Sequence, residues 1–186
     1  LDPTGYYSER ARDLLLNRSI FEPPQTIDLA VDFPSERQEA ETWMRATFNI
    51  PADVSLSGLG TLENDPRIVR GKAFWELGLY ETARDEFENI RQEMSTDPAN
   101  TYRLMNLFVD LGVYRSAILA SRQVLDLAGM SDAATMNAPI YFNHIRFGIF
   151  YKDIVLSVAQ EEGLNPLFLF SLIRQESLFE GFVRSS

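Results

Sequence analysis

Apolar residues recur at intervals of three and four along most of the chain, which is the spacing of one face of an α-helix. Alternating runs of β-branched residues, which are typical of strands, are scarce. The pattern therefore predicts an all-α protein with negligible sheet. Ser8 is the predicted N-terminal cap of a first helix that ends near Leu16, and Ser35 caps a second helix that ends near Phe48. The proline-containing segment 21–33 between them is predicted to be irregular.

An eight-residue stretch occurs twice in the chain, with a separation of 34 residues. Residues 76–83 and 110–117 match in an acidic residue, Leu, Gly, an aliphatic residue, Tyr and Ala, in that order. In each unit the glycine can end a first helix in the left-handed conformation, and the alanine allows a second helix to approach closely. This period resembles the tetratricopeptide repeat, whose unit is an antiparallel helical hairpin.

The resemblance implies a tetratricopeptide-like helical-repeat region over residues 1–136. Two ordinary helix-turn-helix corners would give the same pattern, so that alternative stays open. Because two repeats are fewer than the roughly three that a solenoid needs for stability, neighbouring helices are expected to cover their outer faces.

The segment 137–148 differs from the rest of the chain, because it is rich in aromatic residues and shows no clean helical stripe. We interpret it as a linker that packs against its surroundings and joins two domains. It contains His144, the only histidine, which we interpret as a hydrogen-bonded structural residue rather than a metal ligand or an acid–base group. The aromatic residues in and near the segment are interpreted as core rather than as a sugar-stacking platform: Tyr141, Phe142, Phe147, Phe150 and Tyr151.

Charge and composition exclude several classes of function. The chain has 17 lysine and arginine residues against 27 aspartate and glutamate residues, a net charge of −10 that would repel a phosphate backbone. No nucleic-acid partner is therefore expected. The absence of cysteine excludes disulfides, cysteine-based zinc sites and cysteine nucleophiles, and no cofactor or metal is expected. No apolar run approaches the roughly 18 residues of a membrane helix, so no membrane span is predicted.

Two further helices are predicted near the C-terminus. The first covers about residues 150–162 and is stopped by Gly163. Asn165 is then the cap of the second helix and Pro166 its first residue, a position that tolerates the missing amide proton of proline.

The second of these helices carries a carboxylate on its apolar stripe. The spacing places Glu176 in line with Leu169, Leu172 and Ile173. Burial favours the protonated form of a carboxylate, and a carboxylic acid that keeps its proton near neutral pH can act as the general acid in glycosidic-bond cleavage. The alternative is that the stripe has already emerged into water at the end of the helix, which would make Glu176 an ordinary surface residue.

The residues around Glu176 form a recognisable motif. Residues 172–179 read Leu-Ile-Arg-Gln-Glu-Ser-Leu-Phe, after a Gly-Leu-Asn-Pro helix start at 163–166 and before Val-Arg-Ser-Ser at 183–186. This segment resembles the first catalytic motif of the soluble lytic transglycosylases, lysozyme-like enzymes of glycoside hydrolase family 23 that cleave peptidoglycan. The preceding repeats are similar to the superhelical region found before the catalytic domain in many of these enzymes.

The resemblance implies that residues 149–186 are the first helices of a lysozyme-like catalytic domain. It implies that Glu176 is the only catalytic acid and base, and that Ser177 supports the site without taking part in the chemistry. Glu176 would protonate the oxygen between N-acetylmuramic acid and N-acetylglucosamine and then accept the proton of the muramoyl C6 hydroxyl, which leaves a 1,6-anhydro end. Peptidoglycan glycan strands are the implied partner, and the implied location is outside the cytoplasm, in the periplasm or cell envelope.

The family pattern continues with a glycine-rich segment and further helices that form the substrate groove. The resemblance therefore implies that the chain is truncated just after the first catalytic motif and is inactive alone. A second hypothesis is a tetratricopeptide-like scaffold that binds a protein or peptide on its concave surface and has no catalytic role. A downstream Gly-Leu-Met-Gln segment in the parent gene would favour the enzyme, and a stop codon directly after Ser186 would favour the scaffold.

Overall fold

The computed structural model describes residues 5–18, 28–131 and 133–183. These residues form nine α-helices, two short 3₁₀ helices (Gly60–Leu62 and Ala134–Asn137) and no strand, so the all-α prediction is confirmed. The α-helices are α1 (Tyr6–Leu15), α2 (Phe33–Phe48), α3 (Pro66–Glu76), α4 (Tyr80–Glu93), α5 (Pro98–Leu111), α6 (Tyr114–Leu127), α7 (Ile140–Arg146), α8 (Lys152–Glu161) and α9 (Pro166–Ser177). Within the described ranges, every helix is too short or too polar to cross a membrane.

The 34-residue repeat corresponds to two helical hairpins, in which α3 packs against α4 and α5 packs against α6. Each turn contains a glycine with positive φ, +75° at Gly78 and +79° at Gly112. In both turns the amide of the residue after the glycine donates to the carbonyl five residues before it, at 2.9 and 2.8 Å. The predicted glycine turns are therefore confirmed, while the assignment of the hairpins to the tetratricopeptide class stays a prediction.

Two of the predicted helix caps are wrong. The Asp32 carboxylate accepts a hydrogen bond from the Ser35 amide at 3.3 Å, so Asp32 caps α2 and the helix begins at Phe33. Aspartate caps a helix about as well as serine does, and Pro34 is tolerated in the first turn, so α2 can begin at Phe33. Similarly, Gly5 precedes α1, and Ser8 lies inside that helix. Most of the predicted irregular segment 21–33 lies outside the described residues.

Residues 137–148 contain a helix that the sequence did not predict. Three side chains of α7 are fully buried, Tyr141, Phe142 and Ile145, and the helix packs against α6 and α2. A short helix with neighbours on more than one side needs no single apolar stripe, which is why the periodicity was absent. The segment does pack against its surroundings, but the division of the chain into two domains at this point stays a prediction.

The interpretation of the nearby aromatic residues as core is only partly right. Tyr141, Phe142 and Phe150 are buried, which confirms the interpretation for these three. Phe147 and Tyr151 are 53% and 41% exposed, so for them it is wrong. Both follow α7 in the irregular connection to α8, where the backbone turns these rings toward the surface.

Polar contacts fasten α2 to α7 and to α5. His144 Nδ1 lies 2.9 Å from Glu36 Oε2, so His144 is hydrogen bonded as expected. The Tyr141 hydroxyl donates to Asn106 at 2.6 Å and accepts a hydrogen bond from Arg37 at 3.0 Å. Burial raises the pKa of Tyr141 to about 12, although Arg37 acts in the opposite direction. The hydroxyl therefore stays protonated at neutral pH and keeps donating to α5.

Candidate functional site

The start of α9 follows the sequence prediction. Gly163 follows α8 with a φ of +63°, the left-handed conformation expected of a glycine stop. The Asn165 side-chain oxygen accepts a hydrogen bond from the Leu167 amide at 2.9 Å, and Pro166 is the first residue of the helix. Gly163, Asn165 and Pro166 thus determine where α9 begins. Because the helix is 12 residues long, they also determine where its last turn lies.

The last turn of α9 carries Glu176 and Ser177. The Ser177 hydroxyl donates to the Ile173 carbonyl at 3.0 Å, so its proton is engaged within the helix. The two residues that follow, Leu178 and Phe179, have φ values of +51° and +61°. A non-glycine residue in this region costs roughly 1–2 kcal/mol, so two in succession are unusual. They reverse the chain directly after the Glu-Ser pair.

After this reversal the chain packs against the turns of both hairpins. The Phe179 ring meets Phe150 edge-on at 5.3 Å, and Phe150 stacks on Tyr114 at 3.9 Å. The Phe182 ring stacks on Tyr80 at 5.5 Å. Tyr80 and Tyr114 are equivalent residues of the 34-residue repeat. Both repeat units therefore hold the segment that follows Glu176.

Residue 180 adds an ion pair to this contact. Glu180 is buried, and its carboxylate lies 3.4 Å from the Arg84 guanidinium of α4. The same guanidinium lies 5.8 Å above the Phe182 ring. Loss of Arg84 would leave the Glu180 carboxylate poorly solvated and without this partner, so the pair ties the position of residues 179–182 to the first hairpin.

The predicted apolar stripe of α9 is only partly buried. Leu169 and Ile173 pack against the buried cluster that contains Phe170, whereas Leu172 is 43% exposed and Glu176 is exposed. Because Phe170 is the residue that enters the core, the buried face is rotated away from Leu172. Glu176 follows Leu172 by four residues and therefore lies on the outer side. Of the two expectations for Glu176, the surface position is the one observed.

Several large apolar side chains of α8, α9 and the turn between them are exposed. They are Ile154, Val158, Leu164, Phe168 and Leu172, between 42% and 66% exposed. Phe168, Leu172 and Glu176 follow one another at intervals of four and so share one side of α9. Exposed apolar residues in such number are typical of a contact surface.

Glu176 borders an open depression of about 440 Å³, here called the Glu176 depression. A neighbouring cleft of about 320 Å³, here called the corner cleft, lies between the two repeat tyrosines and residues 179–182. The two share Arg115 and Glu180. The Glu176 depression is lined by Arg115, Gln175, Glu176, Ser177, Leu178, Glu180 and Val183.

Sequence reasoning missed Arg115 and Glu180 as site residues. Arg115 occupies the position that Glu81 occupies in the first repeat, and this reversal of charge between equivalent positions was a usable signal. Glu180 has no local signal, because its burial depends on Arg84, which is 96 residues away in the sequence. Across the described ranges, no group of three or more histidine and acidic side chains could hold a metal ion.

Comparisons of the chain with protein-family models, with curated proteins and with solved structures found no match. Functional assignment therefore depends on the sequence motif around Glu176 and on the geometry of its surroundings.

Proposed function

We propose that the chain is part of a peptidoglycan lytic transglycosylase, which cleaves the bond between N-acetylmuramic acid and N-acetylglucosamine and forms 1,6-anhydromuramoyl ends. One observation carries the proposal. Glu176 of the Arg-Gln-Glu-Ser motif lies exposed in the last turn of a capped helix, beside an open depression. A general acid–base group must reach the bond that it cleaves, and a substrate can reach Glu176.

In this proposal Glu176 acts in two steps. It first donates a proton to the glycosidic oxygen of the leaving sugar, and its carboxylate then accepts the proton of the muramoyl C6 hydroxyl as that oxygen attacks C1. Because the nucleophile belongs to the substrate, no second carboxylate is needed to activate water. A single catalytic carboxylate is consistent with the residues around the depression, since Glu180, its other carboxylate, is already paired with Arg84.

The exposed apolar side chains of α8 and α9 have a place in the same proposal. A general acid must hold its proton near neutral pH, which surroundings that exclude water favour. We expect a further part of the protein to cover Phe168 and Leu172, and so to reduce the access of bulk water to Glu176 on the same side of α9 while leaving the Glu176 depression open to substrate. The 186-residue chain alone leaves Glu176 in water, so we expect it to release no anhydro product from peptidoglycan.

The test is Glu176→Gln in the protein extended past Ser186 by the rest of its catalytic domain. Gln keeps the shape of the side chain but has no proton to give, so release of 1,6-anhydromuropeptides from purified peptidoglycan should fall by at least about 10²–10⁴-fold. Glu162→Gln is the matched control, because Glu162 is an exposed carboxylate at the end of α8. Near-normal product release by the Glu176 variant would contradict the proposal.

A peptide-binding scaffold without catalysis is the second candidate function. The corner cleft favours it, because both repeat tyrosines, Tyr80 and Tyr114, line the cleft. The scaffold hypothesis predicts that Glu176→Gln changes nothing that the protein does.

A further inference from the structure

The corner cleft has aromatic walls contributed by both repeat units and by the segment after Glu176. Trp75 lies 4.8 Å from Tyr80, and Tyr80 stacks on Phe182 at 5.5 Å. Tyr114 lines the cleft from the second hairpin. Aromatic rings offer flat apolar surfaces that bury the hydrocarbon part of a ligand. The volume of about 320 Å³ falls at the lower end of the range for small-ligand pockets.

Arg115 lies on the border between the corner cleft and the Glu176 depression. Among the residues that the structure describes, its guanidinium has no hydrogen-bond acceptor and no ion-pair partner. Its charge acts on Glu88 only at a distance, and that carboxylate is already bonded to Arg91 and Ser116. In a chain with a net charge of −10, this is a guanidinium with its donors still available.

The charges around the cleft select the chemistry of the ligand. Glu180, the acidic residue of the cleft, is buried and paired with Arg84, so it does not compete for Arg115. A planar guanidinium pairs best with a carboxylate, through two parallel hydrogen bonds. The aromatic rings of the cleft can bury apolar groups of a ligand, so they favour a ligand whose carboxylate is attached to apolar groups, as in a short peptide.

We propose that the corner cleft binds a short peptide by its carboxylate, with Arg115 holding the carboxylate and the aromatic rings holding the adjoining apolar part. That this peptide is the one carried by the muramoyl sugar rests on the proposed function. The sugar would then lie in the Glu176 depression and its peptide in the corner cleft, with Arg115 at the border. The protein would consequently prefer glycan that carries peptides over bare glycan.

Binding can be measured with the 186-residue chain through the fluorescence of Trp75. The chain has two tryptophans, and Trp43 packs against Phe48 and Phe142 in the core. In Trp43→Phe the emission reports on the cleft alone. The probes are an alanyl-glutamate peptide with free carboxylates, the same peptide fully amidated, and a tetramer of N-acetylglucosamine, which has no carboxylate. We expect a saturable change with the free peptide and at least tenfold weaker binding of the other two.

Three substitutions on α6 connect the signal to Arg115. Arg115→Gln should weaken binding of the free peptide by at least about tenfold, because the charged hydrogen bonds are lost. Arg115→Lys should retain part of the affinity, since it keeps the charge but not the planar pair of donors. Arg122→Gln is the control on the same helix, because Arg122 pairs with Asp126 at 2.8 Å. If Trp43→Phe fails to fold, the two indole N–H signals in the NMR spectrum of the unaltered chain serve the same measurement.

No saturable response to the free peptide, an equal response to the amidated peptide, or undiminished binding by Arg115→Gln would overturn the site. None of these measurements involves cleavage, so they are independent of the Glu176 test. If peptide binding is absent but cleavage depends on Glu176, the peptide site in the corner cleft is refuted and the proposed enzyme function is retained. Peptide binding in a protein whose cleavage does not depend on Glu176 refutes the enzyme and leaves a peptide-binding scaffold.

Discussion

The two helical hairpins share the geometry of their turns but differ in burial. Phe74 and Phe108 occupy equivalent positions one turn before the glycine, yet Phe108 is fully buried and Phe74 only partly. Seven residues of α5 are buried, compared with two residues of α3. The difference arises because α5 is also covered by α2, where the Tyr102 hydroxyl donates to the Arg37 carbonyl at 3.2 Å. The repeated motif thus sets the turn, whereas neighbouring helices set the burial.

The hairpins also exchange large and small residues at their buried positions. In the first, Gly71 of α3 faces Phe87 of α4 so closely that a Cβ at residue 71 would lie 2.4 Å from the ring. In the second, the equivalent positions hold Met105 and Ser121, both fully buried. Each pair therefore combines one large and one small residue, with the order reversed. Ser121 stands where the first repeat has Phe87, and the larger Met105 in place of Gly71 compensates for the smaller side chain, so the repeat is retained.

The largest difference between the hairpins should appear on truncation of the equivalent phenylalanines. Phe108→Ala should lower the free energy of unfolding by about 3–5 kcal/mol, because it opens a cavity beside Phe87, whose ring lies 5.4 Å away. Phe74→Ala should cost less than half as much, since solvent already reaches that ring. Urea unfolding of both variants measures the two values. Equal losses would show that burial does not separate the hairpins.

A smaller difference is expected at residues 116 and 82, which are also equivalent. Ser116 is fully buried and donates to the Glu88 carboxylate at 2.7 Å, whereas Thr82 is exposed. Ser116→Ala should cost about 1.5–3 kcal/mol, the range for a hydrogen bond to a charged group. Thr82→Ala should stay within about 0.5 kcal/mol. A similarly small loss of unfolding free energy in both variants would mean that the hydrogen bond between Ser116 of α6 and Glu88 of α4 contributes little to stability.

The contribution of Glu88 should also depend on pH. Burial alone would raise the pKa of Glu88, but the hydrogen bonds from Arg91 and Ser116 outweigh it and hold that pKa below its usual value. A carboxylate with a lowered folded-state pKa contributes stability above its unfolded-state pKa of about 4.3, and loses it as the pH falls through the folded value. The cost of Ser116→Ala, measured by urea unfolding, should therefore be larger at pH 7 than at pH 3. A cost that grows toward pH 3 would contradict this.

The smallest effect is expected at the glycine of the first turn. Gly78→Val should cost about 1–2 kcal/mol, because a side chain is strained at positive φ. A Cβ at Gly78 would meet nothing within 4 Å, so no steric clash adds to the strain. A glycine that a side chain would bring into a clash is Gly71, which faces Phe87. Thermal unfolding of Gly78→Val checks the value, and an unchanged midpoint would exclude strain at the turn.

Local signals predicted much of the fold. The turns at Gly78 and Gly112 and the start of α9 at Asn165 depend on a few adjacent residues, so the sequence was sufficient. The cap of α2 was misplaced because Asp32 and Ser35 are both acceptable caps three residues apart. α7 was missed because a helix buried on several sides loses the periodicity by which helices are recognised.

The candidate site was predictable only in its local part. Glu176 and Ser177 were found from the motif, and their place in the last turn of α9 followed from the helix start. The sequence did not predict that Glu176 faces outward, because its direction depends on which residue of α9 enters the core. That residue is Phe170 rather than Leu172. The corner cleft needs contacts between residues about 70–100 positions apart, such as that of Arg84 with Glu180, and a single sequence carries no signal for them.

The docking of residues 179–182 on the repeat turns also has a consequence for synthesis on the ribosome. The second hairpin ends at Leu127, and Phe182 is made 55 residues after it. At about 5–20 residues per second, that interval lasts roughly 3–11 s. During this time both hairpins have been made while the ring of Tyr80 still lacks Phe182, its stacking partner. The nascent chain therefore exposes an aromatic surface that a chaperone can occupy until residues 179–182 dock.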